Sequence, residues 1–222
     1  MQKLINGLHK FRSEVFCSKE DLFLRLAKGQ QPDALFITCS DSRVNPNLIT
    51  QTEPGDLFIL RNAGNIVPPY SYGSSEAGTI EFAVAGLGVK HIIVCGHTLC
   101  GAMKGLLDPR LVENTPAVKS WLDYAESTRR LIRENYGHLT GTDLLNATIE
   151  ENVLAQVECI RTHPSVRARL ARGEICIYAW VYKMETGEVF QYESSRGQFL
   201  PITDNDPSSG LVAGAIAYQK AV

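Results

Sequence analysis

Residues 34–43 read Ala-Leu-Phe-Ile-Thr-Cys-Ser-Asp-Ser-Arg, a short apolar run that stops abruptly at a polar loop. A strand buried on both faces has no polar phase to alternate with, so 34–37 predicts a buried parallel strand whose carboxyl end feeds that loop. The pattern recurs at 57–60, ending in Arg61-Asn62-Ala63-Gly64-Asn65, and at 91–95, ending in Gly96-His97-Thr98-Leu99-Cys100-Gly101. Between the last two runs, 75–87 is small and apolar at helical spacing. Strand, loop, helix, strand predicts an α/β fold, with a central, mostly parallel β-sheet flanked by helices in a single domain over 1–222.

Outward from that core, Leu4, Ile5, Leu8, Phe11, Val15 and Phe16 recur at three- and four-residue steps, which predicts an amphipathic helix over 3–16. It opens an N-terminal helical arm over 1–30, in which a second short helix follows Ser18, with Ser18-x-x-Asp21 as its capping pattern. A helical stretch runs from Pro116, suited to a first turn, to about 136. Another covers 143–161, with Ile149, Val153, Val157 and Ile160 on one face, and breaks at His163-Pro164. Residues 175–182 and 188–192, joined across Glu185-Thr186-Gly187, predict a strand and its hairpin partner. A C-terminal tail occupies 196–222, with no element assigned beyond Pro201.

Hydrophobic residues make up 44% of the 222 and charged residues 21%, the composition of an ordinary globular domain. A chain of this length buries enough apolar surface to need no metal or disulfide merely to fold, so a metal here is functional. The net charge is −2, from 22 basic and 24 acidic residues, with the basic ones dispersed; this argues against nucleic acid or an anionic membrane and for a small-molecule partner. No apolar run reaches the ~18 residues of a membrane span and the N-terminus has no apolar leader segment, so the expected location is cytoplasmic. In a reducing compartment the six cysteines read as metal ligands, nucleophiles or small buried hydrophobes rather than as disulfides.

Ligands in α/β sheets bind beyond the carboxyl ends of strands, which is where Cys39 and the His97-x-x-Cys100 pair fall. Two thiolates and an imidazole suit zinc, and three protein ligands with an open fourth position form the catalytic pattern. Cys95 lies in phase with Ile93 inside an apolar strand and reads as core rather than as a fourth ligand. Two thiolates cancel the charge of Zn²⁺ and leave bound water less acidic than a three-histidine site does. Asp41 would then accept a hydrogen bond from the zinc-bound hydroxide, and Arg43 would hold Asp41 ionised and in place; released, Asp41 could swing onto zinc as a fourth ligand in a closed state. The residues alone leave open a non-catalytic zinc module and, less favoured because no Cys-x-x-Cys occurs, thiol redox chemistry.

The stretches CSDSRV (39–44), RNAGN (61–65) and GHTLCGAMKG (96–105), in this order and at these separations, resemble those of the β-class carbonic anhydrases, with the likeness extending over about 2–195. The resemblance implies reversible hydration of CO₂ to bicarbonate and a proton, one Zn²⁺ per subunit on Cys39, His97 and Cys100, and a catalytic dyad of Asp41 and Arg43. It implies Gln30 as a hydrogen-bond donor to substrate, Phe58 as an apolar pocket wall and the Gly101 N–H as a donor to the bound anion. Ala63 and Phe82 stand where plant-type members carry valine and tyrosine, which implies a wider, less polar pocket. Members gated by bicarbonate carry tryptophan where this chain has Phe36, although Arg61 matches their arginine, so a constitutively open site is expected. The family builds its site at a dimer interface, with N-terminal helices over the partner, which implies a homodimer or a higher oligomer of dimers. Carboxysomal relatives continue past this length into a partner-binding tail, so the end at Val222 either weakens a carboxysomal assignment or marks a shortened chain, and carboxysomal and free cytosolic locations both stay open. A related activity on a CO₂-like sulfur substrate is not distinguished by these motifs.

Overall fold

The computed structural model describes residues 1–71 and 73–203. The apolar run at 34–39 forms β1 (Ala34–Cys39), buried at every residue. It lies between two parallel neighbours, β2 (Leu57–Asn62) and β3 (His91–His97), in register Phe36 with Ile59 on one side and with Ile93 on the other. On the far side of β3 runs β4 (Cys176–Tyr182), also parallel; β5 (Val189–Glu193) and β6 (Gln198–Pro201) then add antiparallel to the edge. Among the described residues the sheet has six strands in the order β2-β1-β3-β4-β5-β6. The expected α/β architecture is the one observed. Segment 196–203 contributes a strand to the sheet, and 204–222 of the assigned tail lie outside the described residues.

The helices follow the sequence in most places. α1 (Gln2–Lys10) continues through a π-helical stretch to Phe16 with Leu4, Leu8 and Phe11 exposed, and α2 (Glu20–Leu26) follows. The capping pattern assigned to Ser18 does not form: α2 is preceded by Lys19, and the Ser18 hydroxyl turns back to donate to the Val15 carbonyl at 2.9 Å. Short α3 (Pro46–Thr50) follows β1, capped by the Asn45 side chain, and α4 (Ser75–Glu81), capped by Ser74, connects β2 to β3. After β3 come α5 (Gly101–Leu107), α6 (Pro116–Leu122), α7 (Glu126–Asn135) and the long α8 (Gly141–Arg161). The single helix expected from Pro116 to about 136 is thus two, separated by a 3₁₀ turn over Asp123–Ala125 that lets Leu122 and Ala125 both reach the core. α9 (Pro164–Ala171) was not anticipated, because Pro164 occupies the first turn of a new helix as well as ending the old one.

α8 packs on β3 and β4 and presents Ile149, Val153 and Val157 to the core cluster that contains Leu35, Ile37 and Val94. Gly96 is what permits this approach. A Cβ there would lie 2.7 Å from Val153 Cγ2 and 3.1 Å from Ile149 Cγ2, and a β-branched partner cannot rotate away. Gly96→Ala is therefore expected to lower stability by about 1–3 kcal/mol, the usual cost of overpacking, measured as a lower urea midpoint at unchanged slope. Cys95, next in the strand, points to the opposite face into a second apolar cluster with Ala34, Phe36 and Ile93.

Candidate metal centre

The register of the sheet brings the site together. Thr38 pairs with Cys95, so Cys39 at the end of β1 and His97 at the end of β3 emerge at one sheet edge. The chain then has to reverse within three residues to return a second sulfur to that edge. Leu99 accomplishes this in the left-handed conformation, φ +60°, a strained choice for a branched side chain, and Cys100 follows as the residue preceding α5. The outcome is a buried cluster in which the two sulfurs and a His97 ring nitrogen all lie within 4.8 Å of one another.

The donor states suit a cation. His97 Nδ1–H donates to the Thr98 carbonyl at 2.8 Å, which fixes the tautomer and leaves the Nε2 lone pair facing the sulfurs. Nε2 is fully buried and has no hydrogen-bond partner, a costly condition in a core that a metal would relieve. The two thiols titrate as a pair. Cys39 is drawn well below the ordinary thiol range by the Cys100 S–H donating to it, with further donation from the Gly64 N–H at 3.3 Å, against the opposing effect of burial. Cys100 is correspondingly pushed up by its partner Cys39 and by burial, and a cation taking its place as partner to Cys39 would release its proton. Cys95 stands apart: burial pushes its thiol up to about 12, as befits a neutral core residue.

Asp41 and Arg43 lie over this cluster. Arg43 grips the carboxylate with Nε to Oδ1 at 2.9 Å and Nη2 to Oδ2 at 2.7 Å, and its backbone N–H adds a third bond to Oδ1 at 3.0 Å. These bonds hold the Asp41 carboxyl well below the usual carboxylate range. Oδ2 is nonetheless only 3.9 Å from His97 Nε2, so the carboxylate reaches the edge of the donor cluster while still held by arginine.

Sequence reasoning missed how the loops are fastened. Arg61 donates twice to the Cys39 carbonyl, at 3.0 and 2.9 Å, and once to the Asp41 carbonyl at 2.8 Å, clamping the 39–43 loop from the neighbouring strand. The Thr98 hydroxyl donates to Glu185 at 2.6 Å and accepts from the Met184 N–H, which ties the His97 turn to the β4–β5 hairpin. Both links depend on strand register, which composition does not encode.

The pocket residues divide. Phe58 and Phe82 meet with ring centroids 5.8 Å apart, Phe82 being 52% exposed. Ala63 lies in the loop after β2, its carbonyl accepting from the Trp121 indole N–H at 2.8 Å, and Gly101 opens α5 at the surface. Gln30 is not brought to the cluster: it lines a surface hollow with Leu26, Ala27, Lys28, Gly29 and Gly55.

Comparison with known proteins gives a consistent picture. Residues 34–189 match the carbonic anhydrase family model. The chain is 50% identical to a carbonic anhydrase of Synechocystis sp. over 202 residues, covering 90% of this chain and 74% of that protein, and 40% identical to one of Pseudomonas aeruginosa, covering 96% and 97%. In three dimensions it is similar to the β-carbonic anhydrase CcaA, at TM-score 0.89 and 49% identity over 92% of this chain and 93% of that one. It is also similar to a tetrameric β-carbonic anhydrase of the ascomycete Sordaria macrospora, at TM-score 0.79 and 28% identity over 86% and 95%. The motif order read from the sequence, the match to the family across the four parallel strands and half-identity to carbonic anhydrases agree, and this chain belongs to the β-class carbonic anhydrases.

Proposed function

We propose that this chain holds one zinc ion on Cys39, His97 and Cys100 and uses it to convert CO₂ reversibly to bicarbonate and a proton, with Asp41 and Arg43 as its catalytic dyad. The observation that carries the reading is the donor set itself: two sulfurs and an otherwise unpartnered buried imidazole nitrogen within 4.8 Å. When bound there, zinc supplies a Lewis acid that lowers the pKa of water enough to provide a nucleophile near neutral pH. Asp41 accepts a hydrogen bond from the attacking water and so aims its lone pair at the carbon of CO₂. Arg43, which never loses its charge, keeps that carboxylate ionised as the proton leaves. The three bonds from Arg43 to Asp41 favour an open site in which the carboxylate stays off the metal.

Phe58, Ala63 and Phe82 form the apolar wall against which CO₂ rests, and the Gly101 N–H, one of the unpaired amides of a helix start, receives the developing anion. Gln30 serves as a hydrogen-bond donor to substrate in the assembled homo-oligomer, since within its own chain it lies away from the cluster. The exposed Leu4 and Leu8 of α1, with Phe11 of the π-helical stretch that continues it, support a homodimer, or an oligomer built from dimers, in which that stripe is covered. No helix among the described residues is long and apolar enough to cross a membrane, and free thiol ligands suit a reducing cytoplasm, where the activity would serve carbon utilisation.

Stopped-flow CO₂ hydration combined with X-ray absorption at the zinc edge tests this. Activity together with two sulfurs, one nitrogen and one exchangeable oxygen above about pH 8 is expected. Four permanent protein ligands at every pH and no hydration would overturn it in favour of a structural zinc module.

A further inference from the structure

Two uncharged amides lie in the middle of the apolar core. Asn152 and Gln156, on successive turns of α8, are 1% and 0% exposed. Buried amides are costly unless bonded, and leucine at either position would suit a core-facing helix better. Their bonds run in one direction. The Val67 N–H donates to Gln156 Oε1 at 2.8 Å, Gln156 Nε2 donates to Asn152 Oδ1 at 2.9 Å, and Asn152 Nδ2 donates to the Gly64 carbonyl at 3.0 Å. The chain of amides thus leaves the helix only to grasp both ends of the loop 64–67.

That loop carries one contact to the metal centre, the Gly64 N–H donating to Cys39 Sγ at 3.3 Å. Gly64 has φ +82°, and a Cβ there would lie 3.0 Å from both Ala102 and Met103, which directly follow the Cys100 turn. The loop is therefore wedged between the two sulfur-bearing segments, and its depth is set from behind by α8. We propose that Asn152 and Gln156 are positioning residues of the metal centre, which through Gly64 aim a backbone N–H at the Cys39 sulfur and so set how firmly that sulfur holds the metal. An N–H donated to a thiolate withdraws electron density from it and fixes the lone pair that remains for a cation; outer hydrogen bonds of this kind alter metal affinity about 10–100-fold.

The inference rests on the zinc reading above, and the test separates the two. Wild-type protein loaded with Co²⁺ should display a sulfur-to-cobalt charge-transfer band, and zinc affinity is measured by chelator competition; if wild type lacks the band, it is the zinc reading that fails. Asn152→Leu and Gln156→Met retain side-chain volume but cut the amide chain at different links. Each is expected to weaken zinc binding about 10–100-fold and to shift the band. Thr148→Val is the control, because Thr148 is buried on the same helix but its hydroxyl donates only to the Leu144 carbonyl of α8 itself. It should lower the Tm and leave affinity and band unchanged. Should either amide variant fold with wild-type affinity and an unmoved band, the two residues are structural only. Gln156→Met leaves the Asn152 bond to Gly64 in place and decides the matter if Asn152→Leu does not fold.

Discussion

Cys39→Ser is expected to lose zinc and, with it, at least 10³-fold in kcat/KM, without unfolding the protein. Structural zinc sites bind with about 10–16 kcal/mol at neutral pH, so each of a few donors carries roughly 3–5 kcal/mol, or about 10²–10⁴ in affinity. A serine hydroxyl recovers little of this, because its proton does not leave at neutral pH as a thiol's does beside a cation. The loss falls on the metal rather than the fold, since β1 is held by parallel ladders on both sides and the side chain of residue 39 lies at the strand's very end. Metal content after dialysis, circular dichroism and CO₂ hydration measured on one preparation give the result. Cys95→Ala is the matched control: it removes an equally buried sulfur from the opposite face of the sheet and should cost about 1 kcal/mol of packing while zinc and activity remain. Stoichiometric zinc with more than a tenth of wild-type activity in Cys39→Ser would remove Cys39 from the ligand set.

The strands that bear these ligands could be read from the sequence because parallel strands covered on both faces leave unbroken apolar runs, and a run that ends at a polar loop marks the sheet edge where chemistry gathers. β1 is buried at all six positions, which is why ALFIT stood out from its surroundings. Less visible was α5. Its seven residues include Gly101 and Gly105 and follow Cys100 with no side-chain cap, so local signals suggest a loop; packing of Met103 and Leu106 into the core stabilises the helix instead. Arg61 was legible as a motif residue but not as the clamp on the Cys39 carbonyl, since that role arises only from the strand register. Thr148, Asn152 and Gln156 hid in plain view. A polar residue every fourth position reads as a solvated stripe, and these three are instead buried, with the two amides spent on a loop that is far away in sequence.

Asp41→Asn is expected to reduce kcat by about 10²–10³ with zinc content unchanged, the effect of removing one preorganised hydrogen-bonding group from a reacting centre. Asparagine has nearly the same shape, but it offers Arg43 a single acceptor where the carboxylate offers two, and it turns an N–H₂ toward either the guanidinium or the attacking water. Both orientations spoil the alignment that the ionised carboxylate provides. A loss of stability does not account for this. The arginine half of the pair is solvated, with the Arg43 side chain 51% exposed against 16% for Asp41, and asparagine keeps one acceptor for the guanidinium, so the change in folding free energy should stay near about 1 kcal/mol. Its pH dependence points the same way. The folded-state pKa of Asp41 is depressed, so the stabilisation it brings is fully present above the unfolded value near 4 and is lost only as pH falls through the folded one. Across an assay range of pH 7–9 that contribution is constant, and whatever Asp41→Asn changes there belongs to the reaction. Arg43→Lys completes the comparison by keeping the charge while losing the fork, and it should fall between wild type and Asp41→Asn. A decline of less than tenfold in Asp41→Asn would mean that the carboxylate does not orient the nucleophile, and that Arg43 grips it to hold the loop beneath Leu99.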